Sequence, residues 1–497
     1  MTLNGLKICW SKKVKGEKRL ECGESVNDSR IIEETMRLIS EFLDRVERHK
    51  SALLSDLTTP FDRDINALSD WLNGVVIVVD GDEAITELRM AEREVGEKML
   101  ALLNQVREKW LRVYRQELEE LVRKLRRGEA TIIISGEPFD RNKSFIVHLY
   151  TENLAIIIAR VAESESITSH ISLTGLGGID VIVPKSLNDK GLRAIQCGLL
   201  LTDGSIDRDD YPVMGTNRLW QVVVFTMVFP GKIHMIINGL NVNNGDVSVI
   251  WQLRAIDHKD AFGSKAEVVE VAGGLGDDEF PLFLLFVVLG DGNVNVKERR
   301  VRLYMGYSKL ELWGDLIERL EGLGFREEDE GHKVAYMVKS SKAANLTKKM
   351  LSNPIIKAII EDLARLPDAE KLRRLIELAN VKVKPPNKSS IEVVDGVKMT
   401  IRIGAGGIIE LRTWRKDYRE VMKILEKLRD AGYKETKLSK WGEKFTVYMS
   451  MDVIKKYPEL ISKVCEVLRK IYDEAMNEDN MKKARTIAKA IRKLGCQ

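Results

Sequence analysis

Two aspartates are the residues best placed to carry out chemistry, because each follows an apolar run and precedes a glycine. Asp203-Gly204 follows the run 197–201, and Asp291-Gly292 follows a longer run 88 residues further on. Each apolar run predicts a buried helix, and the glycine after it lets the chain turn sharply into a strand through a left-handed helix cap. If the two helices pack side by side and parallel, both acids lie at the same end of the interface.

The position of these acids suggests a metal site. Carboxylates at the C-terminal ends of two helices meet unfavourable helix dipoles, so positive charge is needed beside them. Mg²⁺, or Mn²⁺ in its place, prefers oxygen ligands, lowers the pKa of a bound water and stabilises the leaving oxygen of a phosphodiester. Asp203 and Asp291 are therefore the predicted metal-binding and catalytic pair, and hydrolysis of double-stranded DNA is the predicted chemistry.

The segment after Asp291 contains the elements that would position this acid. Apolar periodicity and glycine stops predict a hairpin over 294–305, a helix over 309–323, a strand over 332–338 and helices over 343–379. The segment after Asp203 predicts long β-rich runs up to residue 256, with no helix between them.

The Asp-Gly helices resemble the paired motifs of the LAGLIDADG homing endonucleases. Residues 304–309, 323–325 and 336–339 resemble the hairpin, helix and strand succession of that family. The resemblance implies an α+β fold with two pseudo-symmetric αββαββα halves, 189–276 and 281–380, whose sheets lie in the DNA major groove. It also implies Mg²⁺-dependent, site-specific cleavage of double-stranded DNA, with Asp203 and Asp291 as the metal ligands.

The same resemblance implies basic residues beside the scissile phosphate. Lys357, which follows a Pro-apolar stretch, and Lys309 are the catalytic candidates. The chain departs from the family pattern in two places: the first half has no predicted middle helix, and Phe286 stands where the motif usually has a small residue.

A second resemblance concerns the second half together with residues 385–497. These residues resemble an uncharacterised protein family of hyperthermophilic archaea whose members look like descendants of mobile elements. That resemblance implies no activity. A catalytically inactive DNA-binding protein on the same scaffold, or a structural and oligomeric protein, is therefore the alternative function.

The remaining segments frame this core on both sides. Residues 1–128 predict a coiled-coil-like helical hairpin that could mediate self-association, and residues 129–188 predict a β-rich region. A linker is predicted at Pro385-Pro386, before a basic α/β domain over 387–497. The two Gly-aromatic stops at Gly324 and Gly432 lie 108 residues apart, which indicates that this tail repeats the second half.

Basic residues indicate where a nucleic acid would bind. The formal net charge of the chain is +4, but residues 382–497 hold 27 Lys and Arg against 16 Asp and Glu. A basic surface of this kind suggests either a nucleic-acid partner or a solvated helix. The candidate nucleic-acid-binding residues are Lys297, Arg299, Arg300 and Arg302 in the hairpin, and Lys482, Lys483, Arg485 and Lys489 in the tail.

Several classes of protein are not indicated. The longest apolar run, 282–289, is too short for a membrane span, and residues 1–30 are too polar for a secretory signal. A cytoplasmic location is therefore expected. The five cysteines form no CxxC pair, so the sequence predicts neither a zinc site nor disulfides. No cofactor-binding residues other than the metal ligands are predicted.

Overall fold

The computed structural model describes residues 6–17, 19–75, 83–163, 166–185, 187–329, 334–381, 389–477 and 480–496. The chain divides into a first unit, Met1–Val381, and a second unit, Lys382–Gln497. The division into four segments stays a prediction, and the predicted linker at Pro385-Pro386 lies outside the described residues. Self-association through residues 1–128 stays a prediction.

The first unit begins with two strands and a set of helices. These elements are β1 (Lys7–Lys12), β2 (Glu21–Ser25), α1 (Ser29–Arg48), α2 (Lys50–Leu53), α3 (Asp62–Gly74), α4 (Glu83–Lys109) and α5 (Arg115–Arg127), with a π-helical turn, Trp110–Tyr114, joining the last two. The structure differs here from the predicted helical hairpin. Helix α4 pairs with α3, where a Cβ on Gly96 would lie 2.8 Å from Trp71, whereas α1 packs on strands of the large sheet.

The large sheet continues through the β-rich region and the first Asp-Gly half. Its further elements are β3 (Thr131–Gly136), β4 (Phe145–Tyr150), β5 (Leu154–Arg160), β6 (Ile167–Leu173), β7 (Ile179–Val183), α6 (Asp189–Leu200), β8 (Gly204–Ile206), β9 (Pro212–Thr216), α7 (Leu219–Val228), β10 (Gly231–Val242), β11 (Val247–Ala255) and α8 (Lys265–Gly273). The strands run in the order β2-β1-β3-β4-β5-β6-β10-β11-β9-β8, and β7 also pairs with β10. The predicted β-rich region and first half therefore share one sheet.

The second half follows within the same unit. Its elements are α9 (Phe280–Asp291), β12 (Gly292–Asn295), β13 (Arg300–Met305), α10 (Tyr307–Gly322), β14 (Arg326–Asp329), β15 (Val334–Lys339), α11 (Ser340–Met350), α12 (Pro354–Leu363) and α13 (Glu370–Ala379). Its strand order, β12-β13-β15-β14, matches β8-β9-β11-β10 of the first half. The α+β fold with two αββαββα halves is confirmed.

Helix α7 corrects one sequence-based expectation. The predicted first half lacked a middle helix, but α7 occupies the position that α10 has in the second half. All ten of its residues are buried, so no polar face marks it as a helix. Helix α9 is apolar in the same way. In the part of the chain that the structure describes, no helix is both long and apolar enough to span a membrane.

The second unit repeats the hairpin, helix and hairpin order. Its elements are β16 (Ser390–Val394), β17 (Val397–Ile403), β18 (Ile409–Arg415), α14 (Tyr418–Asp430), β19 (Lys437–Trp441), β20 (Lys444–Ser450), α15 (Met451–Ile454), α16 (Pro458–Asn477) and α17 (Met481–Leu494). The strand order is β16-β17-β18-β20-β19, so four strands repeat the arrangement of both halves. The predicted repeat is present, but a strand, β16, precedes it where the halves have an Asp-Gly helix.

Two disulfides correct the prediction that the cysteines are unpaired. Cys9 on β1 bonds to Cys22 on β2, and Cys465 on α16 bonds to Cys496 after α17, with Cα atoms 5.4 and 5.6 Å apart. Cys197 on α6 is free and buried. The two bonds join neighbouring elements, so each constrains a local pair within its own unit.

Candidate acid and lysine site

Helices α6 and α9 lie side by side and parallel, as the sequence predicted. Gly198 faces α9 so closely that a Cβ would lie 2.6 Å from the Phe283 carbonyl oxygen and 2.9 Å from Phe286 Cβ. Four residues later, Thr202 faces Gly290, where a Cβ would lie 2.4 Å from the threonine hydroxyl oxygen. The bulky Phe286 is therefore accommodated because its partner position is a glycine.

The glycines after the two acids are needed for space. A Cβ on Gly292 would lie 2.5 Å from the Val288 carbonyl oxygen, and one on Gly204 would lie 3.0 Å from the Leu199 carbonyl oxygen. Gly292 has φ −87° and ψ 169°, which is extended backbone. The predicted left-handed cap is therefore incorrect at Gly292, where the chain enters its strand directly because only glycine fits beside the last helical carbonyls.

Each acid has a partner at the same place in the topology. The Gln221 side-chain amide donates a hydrogen bond to Asp203 Oδ2, and the Lys309 ammonium forms an ion pair with Asp291 Oδ2. Gln221 is the third residue of α7 and Lys309 is the third residue of α10. The halves thus offer equivalent positions to the two acids, but one holds a neutral amide and the other a cation.

Lysines also bind the carbonyl groups at the ends of both helices. Lys309 Nζ donates to the Leu201 carbonyl at 2.9 Å, and Lys371 Nζ donates to the Leu289 and Gly290 carbonyls at 2.7 Å each. Helix C-termini leave their last carbonyls without partners within the helix and carry partial negative charge. The two ammonium groups donate hydrogen bonds to these carbonyls and also offset the partial negative charge of the helix ends.

Burial and charge shift the pKa values of this cluster in opposite directions. Burial, reinforced by the negative charge of Asp291, raises the pKa of Asp203. Burial lowers the pKa of Lys371, against the attraction of Asp203 and Asp291. Burial and the charge of Lys309 lower the pKa of Lys265, the first residue of α8. Two acids and three lysines therefore interact electrostatically in one place.

An open cavity of about 360 Å³ lies against this cluster. Asp203 and Lys371 line it together with Arg218, Arg374 and Asn293. Asp368 also lines it, and its carboxylate accepts a hydrogen bond from the Leu219 backbone amide at 2.5 Å, which satisfies the start of α7. Glu370 also lines the cavity and accepts a hydrogen bond from Arg374, so the lining holds three basic side chains and three acidic ones.

Asn293 lines the cavity and also lies on β12, at the edge of a cationic surface formed by the sheet of the second half. In the register of the sheet, Asn293 lies opposite Arg302, which lies opposite Met337, which lies opposite Arg326. We define the outer face as the polar side of this sheet, formed by Asn293, Asn295, Arg300, Arg302, Tyr304, Arg326, Glu328 and Lys339. The exposed Lys297 and Arg299 lie in the turn between β12 and β13.

The predicted site residues fall into three places. Asp203, Asp291 and Lys309 lie together, whereas Lys357 is an exposed residue of α12 whose Nζ lies 3.8 Å from Glu361. Its predicted catalytic role has no geometric support. The hairpin basic residues lie on or beside the outer face. The tail residues Lys482, Lys483, Arg485 and Lys489 lie on α17 of the second unit, whose Ile487 and Leu494 are buried in the core of that unit.

Three residues at the site were missed from the sequence: Gln221, Lys371 and Lys265. Gln221 could have been found by matching α7 with α10, had the helix been recognised. Lys371 and Lys265 lie 168 and 62 residues after Asp203 and carry no local motif. Only the packing of α13 and α8 brings them to the acids.

The donor set limits which metal could bind. Among the described residues, no group of three or more His, Cys, Asp or Glu side chains could hold a metal ion. Asp203 and Asp291 offer two carboxylates, which suit a hard divalent cation that keeps several waters. However, Lys309 and Lys371 already supply the positive charge that the sequence argument assigned to a metal.

Comparisons with known proteins give little further information. No protein-family model matches the chain, and no curated protein matches it. Among solved structures, the chain is similar to full-length DUF199/WhiA from Thermatoga maritima, with 11% sequence identity and a TM-score of 0.22, over 61% of this chain and 93% of that one. A TM-score this low supports no statement about fold or function.

These findings correct the assignment made from sequence. Membership of the LAGLIDADG homing endonucleases is wrong, because no family model supports it. The resemblance to an archaeal family derived from mobile elements also has no matching family model. The order of elements in the two halves and the grouping of Asp203 with Asp291 rest on the geometry alone.

Proposed function

We propose that the first unit binds double-stranded DNA through the outer face and the adjoining cavity. The observation that carries this proposal is the excess of basic side chains on the outer face, where Arg302 and Arg326 lie on either side of Met337, and its connection through Asn293 to the cavity that holds Lys371. Phosphate groups are the partners that such a surface attracts, and they dominate the affinity of proteins for DNA.

The shape of the surface favours a duplex. The β12–β13 hairpin forms one edge of a four-stranded antiparallel sheet. A β-hairpin can enter the major groove of B-form DNA, which is about 12 Å wide, and this edge is the part of the sheet that would do so. The two halves of the unit also repeat one topology, and a pseudo-twofold protein matches the approximate twofold symmetry of a duplex. Arg302, whose guanidinium donates to the Tyr304 hydroxyl at 2.9 Å, is held in a fixed direction on β13.

Exposed basic residues give the sharpest test of duplex binding. In a Lys297→Ala/Arg326→Ala variant, we expect weaker binding to duplexes of every sequence. The slope of log affinity against log salt concentration should fall by about 2, because each lost phosphate contact removes about 0.9 from it. Fluorescence anisotropy with a labelled duplex over a salt series measures both quantities.

A matched control uses arginines away from the outer face. Arg93 and Arg123 are half-exposed residues of α4 and α5 that pair with glutamates of their own helices. The Arg93→Ala/Arg123→Ala variant should bind the duplex with unchanged affinity and salt slope. Equal losses in both variants, or no duplex binding by the wild-type protein at low salt, would contradict the proposal.

We propose Mg²⁺- or Mn²⁺-dependent hydrolysis of DNA as a second function, on the observation that two carboxylates adjoin three lysines at the edge of this surface. Asp203 and Asp291 would hold the metal, and Lys309 and Lys371 would neutralise a phosphate brought between the halves. A bound divalent cation would supply an activated water and stabilise the leaving oxygen.

Substitution of the acids tests this second function. Asp203→Asn and Asp291→Asn should each abolish metal-dependent nicking of a plasmid library while leaving duplex binding intact. Asp277→Asn, at a carboxylate that is 99% exposed, serves as the control and should cut like wild type. Cutting that survives both substitutions, or no cutting by the wild-type protein with either metal, rules out hydrolysis at this site.

A further inference from the structure

Among the described residues of the second unit, no helix covers one of the two faces of the sheet. Its core side packs against α14, α16 and α17 through residues such as Met399, Leu411 and Val447. Along each strand, the side chains of the other face alternate with these core residues. We define the open face as this second side, formed by Ser390, Glu392, Lys398, Thr400, Arg402, Glu410, Arg412, Trp414, Lys437, Ser439, Lys444, Thr446, Tyr448 and Ser450.

Two aromatic rings lie on the open face, on the neighbouring strands β18 and β20. Trp414 is 49% exposed, which is unusual for the largest apolar side chain, and Tyr448 is half-buried two positions along the neighbouring strand. Arg412 lies directly opposite Tyr448 in the register of β18 and β20. Because side chains at adjacent and diagonal positions of a sheet lie within contact range, the rings and the guanidinium form one platform.

Positive charge surrounds this platform. The open face carries five basic side chains against two acidic ones, and one of the acids, Glu410, lies 3.7 Å from Arg402. The Lys444 ammonium lies 4.3 Å from the centre of the Trp414 ring. A shallow cavity of about 630 Å³ runs beside them, lined by Lys398, Arg412, Trp414 and the further basic residues Arg415 and Lys416.

We propose that the open face binds a single strand of nucleic acid, whose bases stack on Trp414 and Tyr448 while its phosphates contact the surrounding lysines and arginines. Exposed aromatic rings on a basic surface are the features that bind unpaired bases, since every base has a flat face. In a duplex the bases already stack on one another, so they cannot reach a flat sheet. The positive charge of the open face complements a polyanion, and the rings of Trp414 and Tyr448 favour a polyanion whose bases are unpaired.

The third repeat lacks what the first two use for their own site. No Asp-Gly helix precedes β17, and the open face holds no pair of carboxylates comparable to Asp203 and Asp291 among the residues described there. The surface is therefore suited to binding and not to cleavage. This inference does not depend on duplex binding by the first unit, because it rests on different residues.

The test compares single strands with a duplex on the full-length protein. Labelled single-stranded RNA and DNA of about 12 nucleotides, a length within the usual range of such platforms, are titrated at low salt beside a duplex of the same length. We expect Trp414→Ala to weaken binding of single strands about tenfold to a hundredfold, the loss of one stacked base, and to leave duplex binding unchanged. Trp414→Phe should retain most of the affinity because it keeps a ring.

A matched control uses another exposed aromatic ring beside an arginine. Phe139 of the first unit is 56% exposed, and the Arg30 guanidinium lies 5.0 Å from its ring centre. Phe139→Ala should bind single strands like wild type. Unchanged single-strand binding in Trp414→Ala, an equal loss for duplex and single strand, or no single-strand binding by the wild-type protein would overturn the proposal. A preference for RNA over DNA in the same titrations would identify the natural strand, and equal affinity would support a platform for either.

Discussion

Gly198→Ala is expected to lower the free energy of unfolding of the first unit by about 1–3 kcal/mol, the usual cost of inserting a methylene into a tightly packed interior. The added Cβ would lie 2.6 Å from the Phe283 carbonyl oxygen, which belongs to a helix backbone and cannot move aside alone. Helices α6 and α9 would therefore have to separate. Denaturant unfolding followed by circular dichroism measures the change.

The direction of the stability change distinguishes a tightly packed glycine from one with open space around it. Gly322, the last residue of α10, has open space where a Cβ would be. Gly322→Ala should stabilise the protein slightly, by about 0.4–1 kcal/mol, because alanine has fewer conformations to lose on folding. If both alanines stabilise the protein, the close contact between α6 and α9 is disproved.

Replacing Glu92 by methionine should instead stabilise the first unit, by about 1–3 kcal/mol at neutral pH. Glu92 on α4 is 0% exposed, and neither of its carboxylate oxygens has a hydrogen-bond partner among the described residues. Burial, together with the charge of Asp362 on α12, raises its pKa well above the usual value. Methionine fills a similar volume without a polar group that must leave water.

The gain should depend on pH in a defined direction. Because the pKa of Glu92 is raised by folding, the folded state holds its proton where the unfolded state has released it, so stability falls as the pH rises above the ordinary glutamate pKa of 4.5. The advantage of Glu92→Met over wild type should therefore grow with pH through this window. Glu94→Met, at an exposed position of the same helix, should change stability by less than about 0.5 kcal/mol at any pH. An advantage that is constant from acid to neutral pH would mean that Glu92 does not titrate as described.

Local patterns explain why part of the site could be predicted. An apolar helix that ends in Asp-Gly is encoded within about a dozen consecutive residues, so both α6 and α9 and their acids could be located. The order of elements in the second half could be predicted because its hairpin, helices and glycine stops are separated by clear changes in the period of apolar residues. The repeat in the second unit could be inferred because Gly324 and Gly432 mark the same stop.

Helix α7 shows where periodicity fails. Its ten residues include four valines, which favour strands, and every side chain is buried. A helix that is apolar on all sides has no stripe to reveal a period of 3.6 residues. Because α7 was missed, so was Gln221, the amide that donates to Asp203.

Contacts between segments that lie far apart in the chain could not be predicted from the sequence for a different reason. Lys371 reaches the carbonyls of α9 only because α13 packs beside them, and no spacing rule connects it to Asp291. Lys357 became a candidate beside Lys309 because it follows a proline and an apolar stretch, a local pattern that says nothing about tertiary contacts. The disulfides were missed for the same reason. They join cysteines that folding brings together, and the spacing of cysteines along the chain does not show which of them pair.

The unequal partners of the two acids have a consequence for any ligand with twofold symmetry. Asp203 is held by the neutral Gln221 and Asp291 by the charged Lys309, although the two positions are topologically equivalent. A palindromic duplex would therefore present identical half-sites to two different electrostatic environments. In any one complex, one strand would face the Asp203 environment and the other strand the Asp291 environment, so two strands of identical sequence would not be treated alike.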